Sequence, residues 1–518
     1  MSGEAAVPQK EIAANQPNPS PLRAESGSIY SRILKATALY SIATIAPMAV
    51  SMLTLPLFTR FLTPADYGIL ELLDATRIVF SMLIGARFTD ALLYFYGRST
   101  TDEGRTQSVQ TVLYGSVFLA ILSAVAGWVL SPVISKAVFH GSVSVLDLRI
   151  VFASFGMGLP VEAVFARFKA IDDQTGYVRA ALTRLALTAT ASIILVIALK
   201  TGVTGVLAAA LISNAVMFLA FIRSFPRVSI RGFQYRLLAS QLRVGFLMTA
   251  TGLAAFVINS GDRFFLQRSV SLTDIGLYGI AYKCGMVVSV AQSAFSQYWG
   301  SQVYAIAANE SGLARFRRIH TYIILGLCWL AVLISGSAHA VFHLLLPASY
   351  LGAVRYIPWI ALIYVIRADA DYFRSALYVE GLPGLDTMIS SVAGLVCLAA
   401  YALLIPPFGA IGAIIATAIA FVTSAVAARQ AVVRKRAYGI ESRSVVAFLA
   451  AGGLCAVAAI IPSNSVAGSS TMLACTILYP VLLFLLGCIK RDEVLELYRA
   501  VRQYFESLSA RRSQAAAA

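Results

Sequence analysis

The sequence predicts an all-α integral membrane protein of about 14 transmembrane helices. They form two parallel six-helix repeats around a central cavity, with two extra C-terminal helices. Three observations predict this fold. The chain of 518 residues is 58% hydrophobic and only 13% charged, with a mean hydropathy of +0.77; a soluble globular chain is about half apolar and about a quarter charged. Apolar stretches of the roughly 20 residues that a bilayer core requires follow one another almost end to end. Two short sequence signals also recur at nearly one offset. Barrel strands would read instead as short alternating segments, polar on one side.

The first 28 residues hold Pro17, Pro19, Pro21, Asn15 and Asn18 and no apolar run. They read as a disordered cytoplasmic tail (1–30), since a signal peptide needs an apolar stretch behind a basic start. Spans at 36–58, 76–97, 108–131, 147–166, 178–199 and 203–222 make an N-lobe, residues 31–225. Spans at 244–266, 275–299, 319–346, 354–378, 386–405 and 408–428 make a C-lobe, residues 226–436. The extra pair, 444–461 and 471–489, occupies residues 437–490. In the tail 491–518, Val494, Leu497, Tyr498, Val501, Phe505 and Leu508 recur at helical spacing, as in a helix lying on the inner membrane surface.

The charge supports this layout. There are 41 Lys+Arg against 25 Asp+Glu, a net +16. With the N-terminus inside, about 29 basic residues fall on the inner side, and about six outside: Arg60, Lys136, Arg149, Lys200, Arg268 and Arg355. That bias orients both termini to the cytoplasm and accounts for the basic excess without nucleic acid. The six cysteines, Cys284, Cys328, Cys397, Cys455, Cys475 and Cys488, sit in apolar stretches without a close pair and read as free thiols.

The repeat rests on two signals. RFLTPADYG follows the first span and RSVSLTDIG the seventh, so Arg60, Asp66 and Gly68 match Arg268, Asp274 and Gly276 at an offset of 208. GVTG (Gly202, Gly205) opens the sixth span and GAIG (Gly409, Gly412) the twelfth, at an offset of 207. Glycines also recur at helix ends by chance, but two signals at one offset point to duplication. Because each copy has an even number of spans, the copies share one orientation.

RFLTPADYG and the stretch DRFFLQRSVSLTDIGLYGIAYK (Asp262 to Lys283) resemble the polysaccharide and O-antigen flippases. These belong to the multidrug/oligosaccharidyl-lipid/polysaccharide exporter superfamily. The resemblance covers the whole chain in span count and layout, with sharp motifs at these two places. It implies movement of undecaprenyl-diphosphate-linked oligosaccharide repeat units across the bacterial inner membrane, for exopolysaccharide, capsule or O-antigen. It also implies alternating access around a cationic cavity, coupling to a proton or sodium ion, and a polysaccharide polymerase as a potential partner; no cofactor is implied.

A diphosphate crossing hydrocarbon must exchange its hydration for Arg or Lys. Arg87, Lys283, Arg367 and Arg263 fall inside spans and are the candidates for that cavity, although Arg263 could equally brace its neighbour Asp262. Arg77 and Arg184 lie nearer the interfaces and are expected to snorkel. Asp90, Asp369, Asp371, Glu162 and Asp262 are candidates for ion coupling. Local neutralisation is the simpler role for Asp90, three residues after Arg87, and for Asp371, three before Arg374. Pro47, Pro160 and Pro358 are candidate bending points, and Tyr94, Phe95 and Tyr96 an interfacial belt.

No Gly-Lys pair occurs, so a P-loop is not expected, and His339 and His343 (HAVFH) lack the glutamate of a zinc protease. Two other classes stay open. A multidrug antiporter would line its cavity with carboxylates rather than cations. A membrane glycan polymerase or ligase would need a large external domain, whereas the longest external connection is about 15 residues, around 132–146.

Overall fold

Hydrocarbon offers no partner to a backbone N–H or C=O, so a chain this apolar must satisfy both within each segment. The computed structural model describes residues 42–489, apart from 44, 85–86, 223–233, 308–311, 436–437 and 461–465, and every regular element in it is a helix. The two predicted tails, 1–30 and 491–518, lie outside the described residues.

The N-terminal half contains α1 (Ile45–Phe58), α2 (Pro64–Ile84), α3 (Phe88–Arg98), α4 (Asp102–Ala137), α5 (Val145–Ala170), α6 (Gln174–Ile193) and α7 (Gly202–Ile222). The C-terminal half contains α8 (Tyr235–Phe256), α9 (Asp262–Ser269), α10 (Leu272–Gly285), α11 (Val287–Ala307), α12 (Gly312–Leu345), α13 (Ile357–Val379) and α14 (Pro383–Val433). Two further helices, α15 (Ser442–Ile460) and α16 (Val466–Leu485), complete the chain.

Among the described residues, seven helices are long and apolar enough to cross a membrane: α4, α5, α6 with its π-turn extension to Ala198, α7, α12, α14 and α15. The protein is therefore a multi-pass membrane protein. Within the described residues the predicted 14 spans lie mostly on helix, but seven rather than 14 helices are long and apolar, and several of the others are shorter or broken. The second span breaks at Arg87 between α2 and α3, and the seventh passes through a π turn, Val257–Gly261, between α8 and α9. The eighth is divided between α10 and α11 at Met286. Spans eleven and twelve form the two limbs of α14, which turns at Gly409 (φ 56°, ψ −130°) just after Pro406 and Pro407. Pro358 sits in the first turn of α13, where a missing N–H is harmless, so it starts that helix instead of bending it.

Both repeat signals recur as geometry. Thr63 donates its N–H and its hydroxyl to Asp66 Oδ2 at 2.8 Å each, and Asp66 N–H donates back to Thr63 Oγ1 at 3.2 Å. In the second copy Ser271 Oγ donates to Asp274 Oδ2 at 2.7 Å, and Asp274 N–H to Ser271 Oγ at 3.1 Å. Thr63 and Ser271 thus cap the starts of α2 and α10, each tied to the motif aspartate three residues on. Gly202 (φ 63°) and Gly409 (φ 56°) share the left-handed conformation that suits glycine.

The two halves meet through these matched glycines. A Cβ on Gly276 would lie 1.8 Å from Pro64 O and 2.8 Å from Gly68 N, and one on Gly68 would lie 2.0 Å from Leu272 O. Only glycine allows α2 and α10 to run in backbone contact. Tyr350, on the turn before α13, secures the same junction by donating to Leu62 O at 2.5 Å and packing edge-on to Tyr67. Arg60 and Arg268 stay exposed.

The last two helices pack against α12: Thr476 Oγ1 of α16 donates to Val332 O of α12 at 3.3 Å, and Tyr479 hydroxyl ties α16 to α15 by donating to Ala447 O at 2.8 Å. Cys284, Cys328, Cys397, Cys455 and Cys488 are free thiols; the side chain of Cys475 lies outside the described residues.

Candidate functional site

The intramembrane charges gather at three places. The first is the α2/α10 junction. Glu71 on α2 lies 3.5 Å from Arg263 Nη2 and 3.6 Å from Lys283 Nζ. Arg263 Nη1 is 2.7 Å from Asp262 Oδ1, and Tyr278 hydroxyl donates to Asp262 Oδ2 at 2.5 Å. The guanidinium stacks over Tyr282 at 4.6 Å, and the ammonium sits 5.4 Å over Tyr67. Asp262 is fully buried and Arg263 nearly so. Gly279 makes the room, since a Cβ there would lie 2.4 Å from Glu71 Cγ. Two cations and two carboxylates cancel, so Arg263, Lys283 and Asp262 together tie the halves to each other. Glu71 was not among the sequence candidates: it precedes the predicted second span, and its one signal was a lone carboxylate among leucines.

The second place is a cavity of about 470 Å³ in the N-terminal half. Arg77 of α2, Glu162 of α5, Arg184 of α6 and Asn214 of α7 line it. Arg184 Nη1 lies 2.6 Å from Glu162 Oε1, while Asn214 donates to Ser154 O at 2.9 Å. Arg77 pairs with Asp74 at 2.8 Å from a neighbouring position outside the lining. Arg184 thus turns to Glu162, while Arg77 lines the same cavity with its ion pair to Asp74 about half exposed.

The third is a cavity of about 510 Å³ in the C-terminal half, between α11 and α13. Arg367, Asp371 and Arg374 line it from successive turns of α13 and also line a smaller cavity of about 140 Å³ beside Asn259 and Phe421. Arg367 donates to Asn259 Oδ1 at 3.1 Å and lies 3.7 Å from Asp371. Arg374 holds Asp386 through Nε and Nη2 at 2.5 and 3.1 Å, and Asp371 at 3.3 Å. Gln292 Nε2 donates to Asp371 Oδ2 at 3.1 Å. Asp369, two residues before Asp371, faces α12 instead and lies 2.7 Å from Nε2 of the buried His320. His320 is a second residue that sequence reasoning missed, since a lone histidine on an apolar helix resembles core.

Arg87 lies outside these cavities. It pairs with Asp90 at 3.0 Å at the α2/α3 break, both about half exposed, and its guanidinium passes near Gly252 of α8. Among the described residues no group of three His, Cys, Asp or Glu is placed to hold a metal ion.

Asp386 is 6% exposed and depends on Arg374 for its counter-charge. Arg374→Ala is therefore expected to lower stability by about 1–3 kcal/mol, the desolvation cost of a group left unpaired. Adding Asp386→Asn should restore part of that loss. Thermal unfolding of the detergent-solubilised variants measures both; additive losses would contradict the pairing.

A family profile described as polysaccharide biosynthesis protein matches residues 33–298. No curated protein matches the chain significantly. Among solved structures, the fold is similar to that of a lipid II flippase MurJ in an inward closed conformation, at TM-score 0.67 and 14% identity, covering 90% of this chain and 99% of that one. It is also similar to an inward-facing multidrug resistance MATE family transporter of the MOP superfamily, at TM-score 0.59 and 16% identity, covering 80% and 98%. An outward-facing structure of such a transporter matches at TM-score 0.52 and 16% identity, covering 78% and 97%. At these identities the likeness shows the fold alone.

Proposed function

The chain belongs to the polysaccharide biosynthesis protein family, and from that premise we propose that it is a flippase for undecaprenyl-diphosphate-linked oligosaccharide repeat units. It carries them across a bacterial inner membrane, with both its termini cytoplasmic, by ion-coupled alternating access for surface polysaccharide assembly. One observation carries the reading: guanidiniums line the cavities of both halves, Arg77 and Arg184 in one, Arg367 and Arg374 in the other. Cations at membrane depth cost several kcal/mol unless an aqueous or anionic partner compensates them. A pyrophosphate reaching the more exposed N-terminal cavity is such a partner and matches the guanidinium fork. Carboxylates lining these cavities are each paired with an arginine, which disfavours a carrier of cationic drugs.

Of the four cations first considered, Arg367 is retained as a cavity residue, while Arg263 and Lys283 brace the junction and Arg87 serves the α2/α3 break. Asp371, shared between Arg367, Arg374 and Gln292, is the strongest candidate for the coupling ion, ahead of Glu162, Asp369, Asp90 and Asp262. Deleting the gene is expected to trap lipid-linked oligosaccharide on the cytoplasmic leaflet and abolish a surface polysaccharide. The wild-type gene restores export, whereas Arg77→Ala/Arg184→Ala should not, although it inserts normally. Undiminished polysaccharide in a deletion strain without a paralogue would overturn the assignment.

A further inference from the structure

The ion pairs of the two larger cavities differ in exposure. In the N-terminal one Arg77 pairs with Asp74, just outside the lining, and Arg184 with Glu162, and the side chains of these pairs are 29–60% exposed. The C-terminal one is lined by Arg367 and Arg374 and by Asp371 and Asp386, which cancel. Each of its guanidiniums is already held, Arg374 by a two-point contact with Asp386. A phosphate entering there would meet carboxylates as closely as guanidiniums, and like charges at close quarters are strongly unfavourable.

What this cavity offers is a fixed set of donors and acceptors beside open aromatic rings. The Gln292 amide is oriented by Ser296 and Asp371, and Tyr378 hydroxyl donates to Asp386 Oδ2 at 2.9 Å. The rings of Tyr304 and Tyr378 line the cavity at 54% and 48% exposure. Three more rings of the lining stack on one another: Trp299 on Tyr372 at 4.7 Å and 19°, and Phe295 on Trp299 at 5.9 Å and 16°. The Trp299 indole N–H is anchored on Ser375 Oγ at 2.8 Å. Planar polar groups that cannot rotate, set beside aromatic faces, suit a pyranose ring. Its C–H face packs on the aromatic ring, and its hydroxyls both donate to and accept from the carboxylate, amide and guanidinium groups. The volume, about 510 Å³, is that of an ordinary small-molecule site.

We propose that the C-terminal cavity holds uncharged pyranose residues of the transported glycan, leaving the diphosphate to the more exposed, arginine-lined cavity of the N-terminal half. The proposal rests on the lipid-linked glycan reading above, and assigns Tyr304 and Tyr378 to glycan specificity.

The test uses the purified full chain in lipid nanodiscs. The probe is the free oligosaccharide released by mild acid from the lipid-linked pool of cells lacking this gene, with inorganic pyrophosphate as the second ligand. Calorimetry should show the oligosaccharide binding the wild type, and binding about tenfold more weakly to Tyr304→Ala/Tyr378→Ala, the loss expected for two aromatic contacts. Pyrophosphate binding should not change between these two proteins. Tyr304→Phe, which keeps the ring, should stay within about twofold of wild type. Oligosaccharide that fails to bind the wild type, binds the double variant equally well, or weakens in step with pyrophosphate overturns the proposal. If no lipid-linked oligosaccharide accumulates in the deletion cells, it is the flippase reading itself that fails.

Discussion

Gly276→Ala is expected to unfold or inactivate the protein, although alanine is the better helix former. Its Cβ would lie 1.8 Å from Pro64 O, and backbone atoms cannot rotate aside as a long side chain could. Helices α2 and α10 would have to separate, stretching the Tyr350–Leu62 hydrogen bond and the Glu71 cluster with them. Overpacking a well-fitted site costs about 1–3 kcal/mol, and this contact is at the upper end because both partners are main chain. Gly68→Ala should behave alike, its Cβ falling 2.0 Å from Leu272 O, and the double variant should lose less than the sum because the contact is shared. Gly326→Ala in α12, where a Cβ meets nothing within 4 Å, is the control. Thermal unfolding in detergent reads all four; an unchanged Gly276→Ala would contradict the α2/α10 contact.

Arg263→Ala should be at least as damaging. It leaves Asp262, fully buried, without its counter-charge, held only through neutral donors such as the Tyr278 hydroxyl and the backbone N–H of residue 263, and leaves Glu71 to Lys283. Removing one partner of a buried ion pair costs about 3–5 kcal/mol. Arg263→Lys should recover little, since a single ammonium cannot span both carboxylates while stacking on Tyr282. The folded yield on size exclusion should collapse for Arg263→Ala. A double-mutant cycle of Arg263→Ala with Glu71→Ala should show strong coupling; independent effects would mean that the 3.5 Å contact contributes nothing.

Composition and hydrophobic run length make the helical membrane fold legible, and the internal offset marks Gly68, Gly276, Gly202 and Gly409. That matched glycines of two copies touch each other was not legible, because sequence separation carries no information on contact across a junction. Nor was cavity facing. Whether Arg87 or Arg77 looks inward depends on the rotation of α2 and on the break at Arg87, and one sequence fixes neither. Lys283 and Arg263 have the composition of a lumen site, but Glu71, a few residues before the expected second span, draws both into a brace. Asp369 and Asp371 looked equivalent in sequence; two residues on a helix differ by roughly 200° in direction, which sends one to His320 and the other to the cavity.

The most direct test of the account is transbilayer movement by the purified chain in proteoliposomes. The substrates are a fluorescent undecaprenyl-diphosphate glycan and a lipophilic cationic dye, with movement read by a membrane-impermeant quencher. The account predicts that the wild type moves the glycan lipid, that Arg77→Ala/Arg184→Ala slows it at least tenfold, on the scale of one or more lost charge-assisted contacts, and that the dye is not carried. Transport of the dye with no movement of the glycan lipid would contradict it.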